Sequence, residues 1–188
     1  MIIRKAKELR NPEELRKVPG DRPGWYRWWA PRQALKLLLG DFYDGLVPIM
    51  TRGKGELEGL SCIYVGVAIN ESIRKRLDWH INQKHTPGNI KHGTLSTLRQ
   101  SISSLVGKSQ QDENATNDLI DLLMVEIHPV QLEIKSGEAL DKIRLIEDAE
   151  IQRDILPLNI SKNRRPHIAD FKKYLKAKRK KAKGDQEE

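Results

Sequence analysis

Two short aromatic and apolar runs, Gly24 to Ala30 and Leu60 to Val67, constrain this chain more than any other feature. The first is closed by Pro31 and reads as an aromatic strand. The second is almost continuously apolar, as expected of a strand buried on both faces. Gly24-Trp25-Tyr26 opens one run, and Tyr64-Val65-Gly66 lies toward the end of the other. The segment between them carries Gly45, Gly53, Gly55 and Gly59 and little periodicity, so residues 31–59 are expected to form an insertion. Gln33 to Leu39 within it has the leucine density of a short buried helix.

Local signals place the remaining elements. Asn11-Pro12-Glu13-Glu14 combines a capping residue, a proline at the first helical position and a glutamate three residues after the cap. It predicts a helix in residues 1–21, which read as an N-terminal helical extension. Asn70 can cap a helix over 71–83, on which Arg76 and His80, four apart, share a face. A helix over 94–106 stops at Gly107, and the polar stretch 108–117 is expected to be a disordered loop. A third strand is expected over 119–127, with 131–134 as an extension. Ser136-Gly137 then opens a long helix that ends before Pro157. A basic closing helix over 166–181 follows, in a C-terminal segment, 163–188, set apart from a main domain at 22–162. No internal repeat is evident.

The 188 residues suffice for one domain with its own core. A net charge of +8 favours an anionic partner, nucleic acid first. Eight of the twelve residues from Lys172 to Lys183 are Lys or Arg, a run that reads equally as a solvated helix end or as a phosphate-binding surface. Arg74, Arg99, Lys172, Lys173 and Lys176 are the candidates for nucleic-acid contact, and Lys108 could line the same groove. Nothing near Met1 resembles a signal peptide, and no stretch approaches the roughly 20 apolar residues of a membrane helix. A cytoplasmic protein without membrane contact is therefore expected. Cys62, the single cysteine, excludes an internal disulfide and reads as a buried bystander.

Taken in order, Gly24-Trp25-Tyr26, Tyr64-Val65-Gly66, Arg76-x3-His80, Glu147 and Asn159 resemble the GIY-YIG nuclease superfamily over residues 22–162. Both tyrosines and both glycines of the two eponymous triplets are kept, and only the central residue differs. The resemblance implies a small central three-stranded antiparallel sheet flanked by helices, a mixed α/β fold. It also implies a site in which Tyr26, Tyr64, Arg76, His80, Glu147 and Asn159 are catalytic and Glu147 holds Mg2+ or Mn2+. The histidine after the arginine is similar to stand-alone members of the restriction-endonuclease type. Three departures accompany it: the insertion between the triplets, Val67 where some members carry a lysine, and Glu150, a second carboxylate that competes with Glu147 for the metal role. The spacing to Asn159 favours Glu147.

These identities suit phosphodiester hydrolysis on chemical grounds. A hard divalent ion needs one carboxylate plus waters and phosphate oxygens, and a guanidinium fork matches non-bridging oxygens. A phenol of ordinary pKa about 10 needs help to act on water, and a neighbouring histidine can share the proton. Singly, each residue has a plainer reading: strand-edge tyrosine, solvated arginine or glutamate, turn-forming asparagine. Their co-occurrence in order carries the expectation of a metal-dependent DNA endonuclease, with RNA left open and a homodimer suited to cutting both strands. The rival readings are a catalytically silent nucleic-acid-binding module of the same fold and a repair or RNA-processing nuclease.

Overall fold

The computed structural model describes residues 1–107 and 109–184; Lys108 and the acidic end with Asp185, Glu187 and Glu188 lie outside the described residues. The elements in order are β1 (Ile2–Lys5), α1 (Pro12–Arg16), β2 (Gly24–Ala30), α2 (Arg32–Leu39), α3 (Tyr43–Leu46), β3 (Ser61–Ala68), α4 (Ile73–Asn82), α5 (Pro87–Lys91), α6 (Thr97–Val106), α7 (Glu113–Asp121), β4 (Met124–Pro129), α8 (Gly137–Arg153) and α9 (Ala169–Gly184). Single 3-10 turns join several of them.

The strands form one antiparallel sheet in the order β1-β4-β2-β3. The sheet therefore has four strands where three were expected. The extra strand, Ile2–Lys5, comes from the segment read as a helical extension; four residues are too few for alternation to announce a strand. α1 nevertheless forms as its cap predicts, with the Asn11 side chain accepting from Glu13 N. The stretch expected as a disordered loop and the start of the third strand instead holds α7, capped by Asp112. Leu119 and Ile120 lie on its buried face rather than in a strand, so strand β4 begins only at Met124.

Period-2 alternation sorts β2 between two layers. Tyr26 and Trp28 enter the main core with Ile73, Leu77 and Ile81 of α4. Trp29 turns to the other face, where it clusters with Cys62, Val65 and Ile151 of α8. The register shift opposite Trp28 and Trp29 leaves Ile63 as the extra residue of β3, so that Ile63 and Tyr64, adjacent in sequence, both reach the main core while Cys62 and Val65 turn to the other cluster. The closing helix is part of the same fold, because Ile168, Phe171 and Leu175 sit in the main core. Burying side chains of that size contributes about 1.5–3 kcal/mol each. Among the described residues no helix is long and apolar enough to cross a membrane.

Candidate active site

Register brings the two triplets into one unit. Tyr26 pairs with Gly66, and Trp28 with Tyr64, so the two tyrosines occupy neighbouring pairs on the same face of the sheet. Gly66 is required by this arrangement: a Cβ there would lie 2.5 Å from Cζ of Tyr26, whose ring crosses that position. Gly24 serves a different approach. A Cβ on it would meet the carbonyl of His128 at 2.5 Å and Cδ1 of Ile73 at 2.7 Å, so its absence lets the end of β4 and the start of α4 close in.

α4 begins where the Ser72 side chain accepts from Lys75 N, not at Asn70. The helix aims His80 into the core, where Nε2 lies 2.5 Å from the Tyr26 hydroxyl while Nδ1 is buried with no hydrogen-bond partner among the described residues. Burial, then the charges of Arg76 and Arg99, lower the His80 pKa from 6.5 to about 3, so its ring is neutral. Tyr26 moves the other way. Burial, then the proximity of Tyr64, raises its pKa well above 10, against the lowering influence of Arg76. Tyr64 is pushed up to about 12, first by burial and then by the negative charge of Glu147; Arg76 and Arg179 oppose the shift.

Arg76 pairs with Glu71 at 2.8 Å, and its guanidinium lies 4.8 Å from the centre of the Trp79 ring. A hollow of about 500 Å³ beside it is lined by Glu71, Lys75, Arg76 and Trp79 among others, and by none of Tyr26, Tyr64, His80 and Glu147. On α8, Glu147 receives the Lys162 ammonium at 2.8 Å. Glu150, three residues on, is buried and ion-paired to Arg27 of β2 and to Arg153. Of the two carboxylates, then, only Glu147 acts on the tyrosine phenols, while Glu150 neutralises a strand arginine.

Asn159 works on the strand itself. Its Nδ2 donates to the Val65 carbonyl at 2.8 Å and its Oδ1 accepts from Val65 N at 2.9 Å, so one side chain pairs with the outer edge of β3 as a neighbouring strand would. This fixes the strand between Tyr64 and Gly66 and gives two buried backbone groups partners they would otherwise lack.

The basic candidates divide. Arg99 is a correction: it is fully buried and cannot line a groove. Its Nη1 donates to the carbonyls of His80 and Ile81 at 3.1 and 3.0 Å, its Nε to His85 Nε2 at 2.9 Å, and its Nη2 to Asn117 Oδ1 at 2.8 Å. A cation on the last carbonyls of α4 complements the helix dipole, and Arg10 adds a second bond to Ile81 O at 2.7 Å. Arg74 is spent similarly, on the carbonyls of Val18 and Arg16. Lys172 donates to Asn163 O. Lys173 and Lys176 are exposed, with only a loose pairing of Lys173 to Asp170 at 3.6 Å.

One further cation, unmarked by any motif in the sequence, lies on α9. Arg179 of α9, half-buried, donates to Gln100 Oε1 and acts electrostatically on Tyr64. Its only signal in the sequence was its place in a helical stripe that is otherwise apolar: Phe171, Leu175, Arg179, Ala182.

Among the described residues there is no group of three or more His, Cys, Asp or Glu that could hold a metal ion. The donor set still fits a hard divalent ion of the magnesium type, which keeps most of its waters and needs one or two carboxylates. Glu147 already holds a cation, the Lys162 ammonium, through a single oxygen.

No curated protein and no solved structure matches the chain. A family model for the GIY-YIG catalytic domain does, over residues 24–181, from the first triplet into α9. With most of the chain covered and both triplets paired around Tyr26 and Tyr64, the protein belongs to the GIY-YIG family of nucleases.

Proposed function

We propose that this chain is a divalent-metal-dependent endonuclease that hydrolyses DNA phosphodiester bonds, acting in the cytoplasm in restriction or genome defence. The observation that carries the reading is the pairing of the two triplets, which sets Tyr26 and Tyr64 on one face of the sheet with His80 Nε2 2.5 Å from the Tyr26 hydroxyl. It is supported by the electrostatic influence of Arg76 and Glu147, one cation and one anion, on both phenols. A binding module needs the cation but has no use for the carboxylate beside it.

Arg76 binds non-bridging oxygens of the scissile phosphate, exchanging its pairing with Glu71 for the substrate. Tyr26 is no standing phenolate, because its pKa is too high. It takes a proton from the attacking water as it passes its own to His80 Nε2, 2.5 Å away. The phosphate favours that transfer by offsetting Arg76, whose charge helps hold the His80 pKa down. Tyr64 donates a hydrogen bond to the phosphate. A divalent ion on Glu147 would stabilise the leaving oxygen. Cutting both strands calls for a second copy of the chain.

The direct test incubates purified protein with plasmid and with structured RNA, in magnesium, in manganese and in EDTA. Metal-dependent plasmid cleavage is expected, lost by at least about a hundredfold in Arg76→Ala and in Glu147→Gln with unchanged circular dichroism. Cleavage of RNA alone would move the reading to RNA processing. Substantial activity in either variant would sink the site assignment.

A further inference from the structure

The stripe that α8 turns toward the sheet is acidic where an amphipathic helix would be apolar. Ile143 and Ile151, both buried, mark that stripe, and Glu147 and Glu150 fall between them, four and seven residues after Ile143. Ile143 belongs to the cluster of Ile69, Trp25 and Val67, and Ile151 to that of Trp29, Cys62 and Val65. Apolar contacts of this kind have no direction. They would hold α8 on the sheet equally well after a small slide or turn of the helix.

The contact between Arg27 and Glu150 does have direction. Arg27 Nη2 donates to Glu150 Oε2, and Nη1 lies 3.8 Å from Glu126 Oε2 on β4. With side chains only 14% and 11% exposed, the pair is largely out of water. Such a pair is a poor adhesive: desolvation offsets most of the attraction, and apolar residues of similar volume often serve stability as well or better. Arg27 Nε is moreover buried with no hydrogen-bond partner among the described residues. What the pair supplies is a fixed distance and orientation between a strand and a helix.

The residues on either side give that orientation a use. Arg27 directly follows Tyr26 in β2, and Glu150 lies about one turn from Glu147 on α8. We propose that Arg27 and Glu150 are positioning residues, whose ion pair sets the metal-binding carboxylate of Glu147 in register with Tyr26. The inference rests on the nuclease reading above. It gives the two carboxylates of α8 separate tasks: Glu150 fixes the helix and never meets the ion, while Glu147 keeps an exchangeable partner in the half-exposed Lys162.

Arg27→Met alone strands the Glu150 charge and is expected to destabilise the fold, so the deciding protein is the double variant Arg27→Met/Glu150→Met. It is compared with Arg27→Lys and with Arg153→Met, which removes the cation that Glu150 receives from its own helix and leaves the bond to β2 in place. Each is assayed well below its thermal midpoint, for plasmid cleavage across a magnesium series and for Mn2+ binding by electron paramagnetic resonance without DNA. The double variant is expected to keep or raise the wild-type midpoint. Its kcat should nevertheless fall about tenfold or more with KM for DNA within about twofold of wild type, and it should bind Mn2+ about tenfold more weakly. Arg27→Lys should recover part of both losses, and Arg153→Met should show neither. A double variant with wild-type kcat and Mn2+ affinity would make the pair a packing contact and remove this inference alone. Equal losses in Arg153→Met would overturn it too, because the charge on Glu150 and not its bond across to β2 would then be what matters. A wild type that cleaves neither plasmid nor structured RNA removes the nuclease reading with it.

Discussion

At the C-terminal end of α4, polar groups are enclosed by the protein, whereas on α8 the Glu147 side chain is 17% exposed beside a lysine that reaches into solvent. Arg99 there makes four hydrogen bonds from a wholly buried position, and His80 meets Tyr26 with 2% of its surface exposed. Glu147, by contrast, is held by Lys162, whose side chain is 49% exposed. The enclosed wall suits proton transfer, which needs donor and acceptor at fixed distance before substrate arrives. In the proposed reaction the open wall would admit an ion with its waters in exchange for the ammonium.

The hardest blow to the enclosed wall is Arg99→Ala. It leaves the His80 and Ile81 carbonyls short of a donor and strands His85 Nε2 and Asn117 Oδ1. A loss of about 3–5 kcal/mol in urea unfolding is expected. A loss under about 1 kcal/mol would show that Arg10 alone suffices to hold the end of α4, and the contrast between the walls would weaken.

A second effect on the same wall appears as a pH dependence. The His80 pKa falls from 6.5 to about 3 on folding, so below pH 6.5 the unfolded chain binds a proton that the folded one refuses. Stability is therefore lost as pH falls through that window, by about 1.4 kcal/mol per unit, or roughly 2 kcal/mol by pH 5. His85, also lowered by burial and Arg99, adds to the slope in every variant that retains it. The difference between wild type and His80→Gln isolates His80, and identical acid slopes would mean that its ring is already solvated.

The two walls also differ in how far the sequence disclosed them. His80 and Arg76 were legible because i, i+4 spacing on a capped helix puts them on one side whatever surrounds the helix. Tyr26 and Tyr64 were legible only as members of the ordered set that resembles the two family triplets, since a nearly continuous apolar run such as Leu60 to Val67 marks no face. Arg99 was not: an arginine on an amphipathic helix reads as surface until the carbonyls it caps, 18 and 19 residues away, are folded beneath it. Strand β1 escaped for a related reason, since its pairing with β4 is a long-range event that leaves no local period. Spacing to Asn159 favoured Glu147 over Glu150; what the sequence withheld is Arg27, which takes Glu150 only when α8 lies across the sheet.

The mildest perturbation tests the open wall. Lys162 adopts φ 62°, a left-handed conformation that favours glycine, while its ammonium bridges Glu147 and Asp148 at 2.8 and 2.7 Å. Lys162→Gly removes both the strain and the charge; Lys162→Met removes the charge and keeps the strain. Exposure limits what the ion pairs contribute, so Lys162→Met should change stability by no more than about 0.5 kcal/mol, and Lys162→Gly should gain up to about 1 kcal/mol over it. In both variants Glu147 no longer shares its oxygen with an ammonium. Half-maximal cleavage should then need about threefold less magnesium, the equivalent of roughly 0.6 kcal/mol of competition removed. If the magnesium requirement rises in both variants instead, Lys162 orients Glu147 for the ion rather than competing with it. The open wall would then be as fixed in advance as the enclosed one.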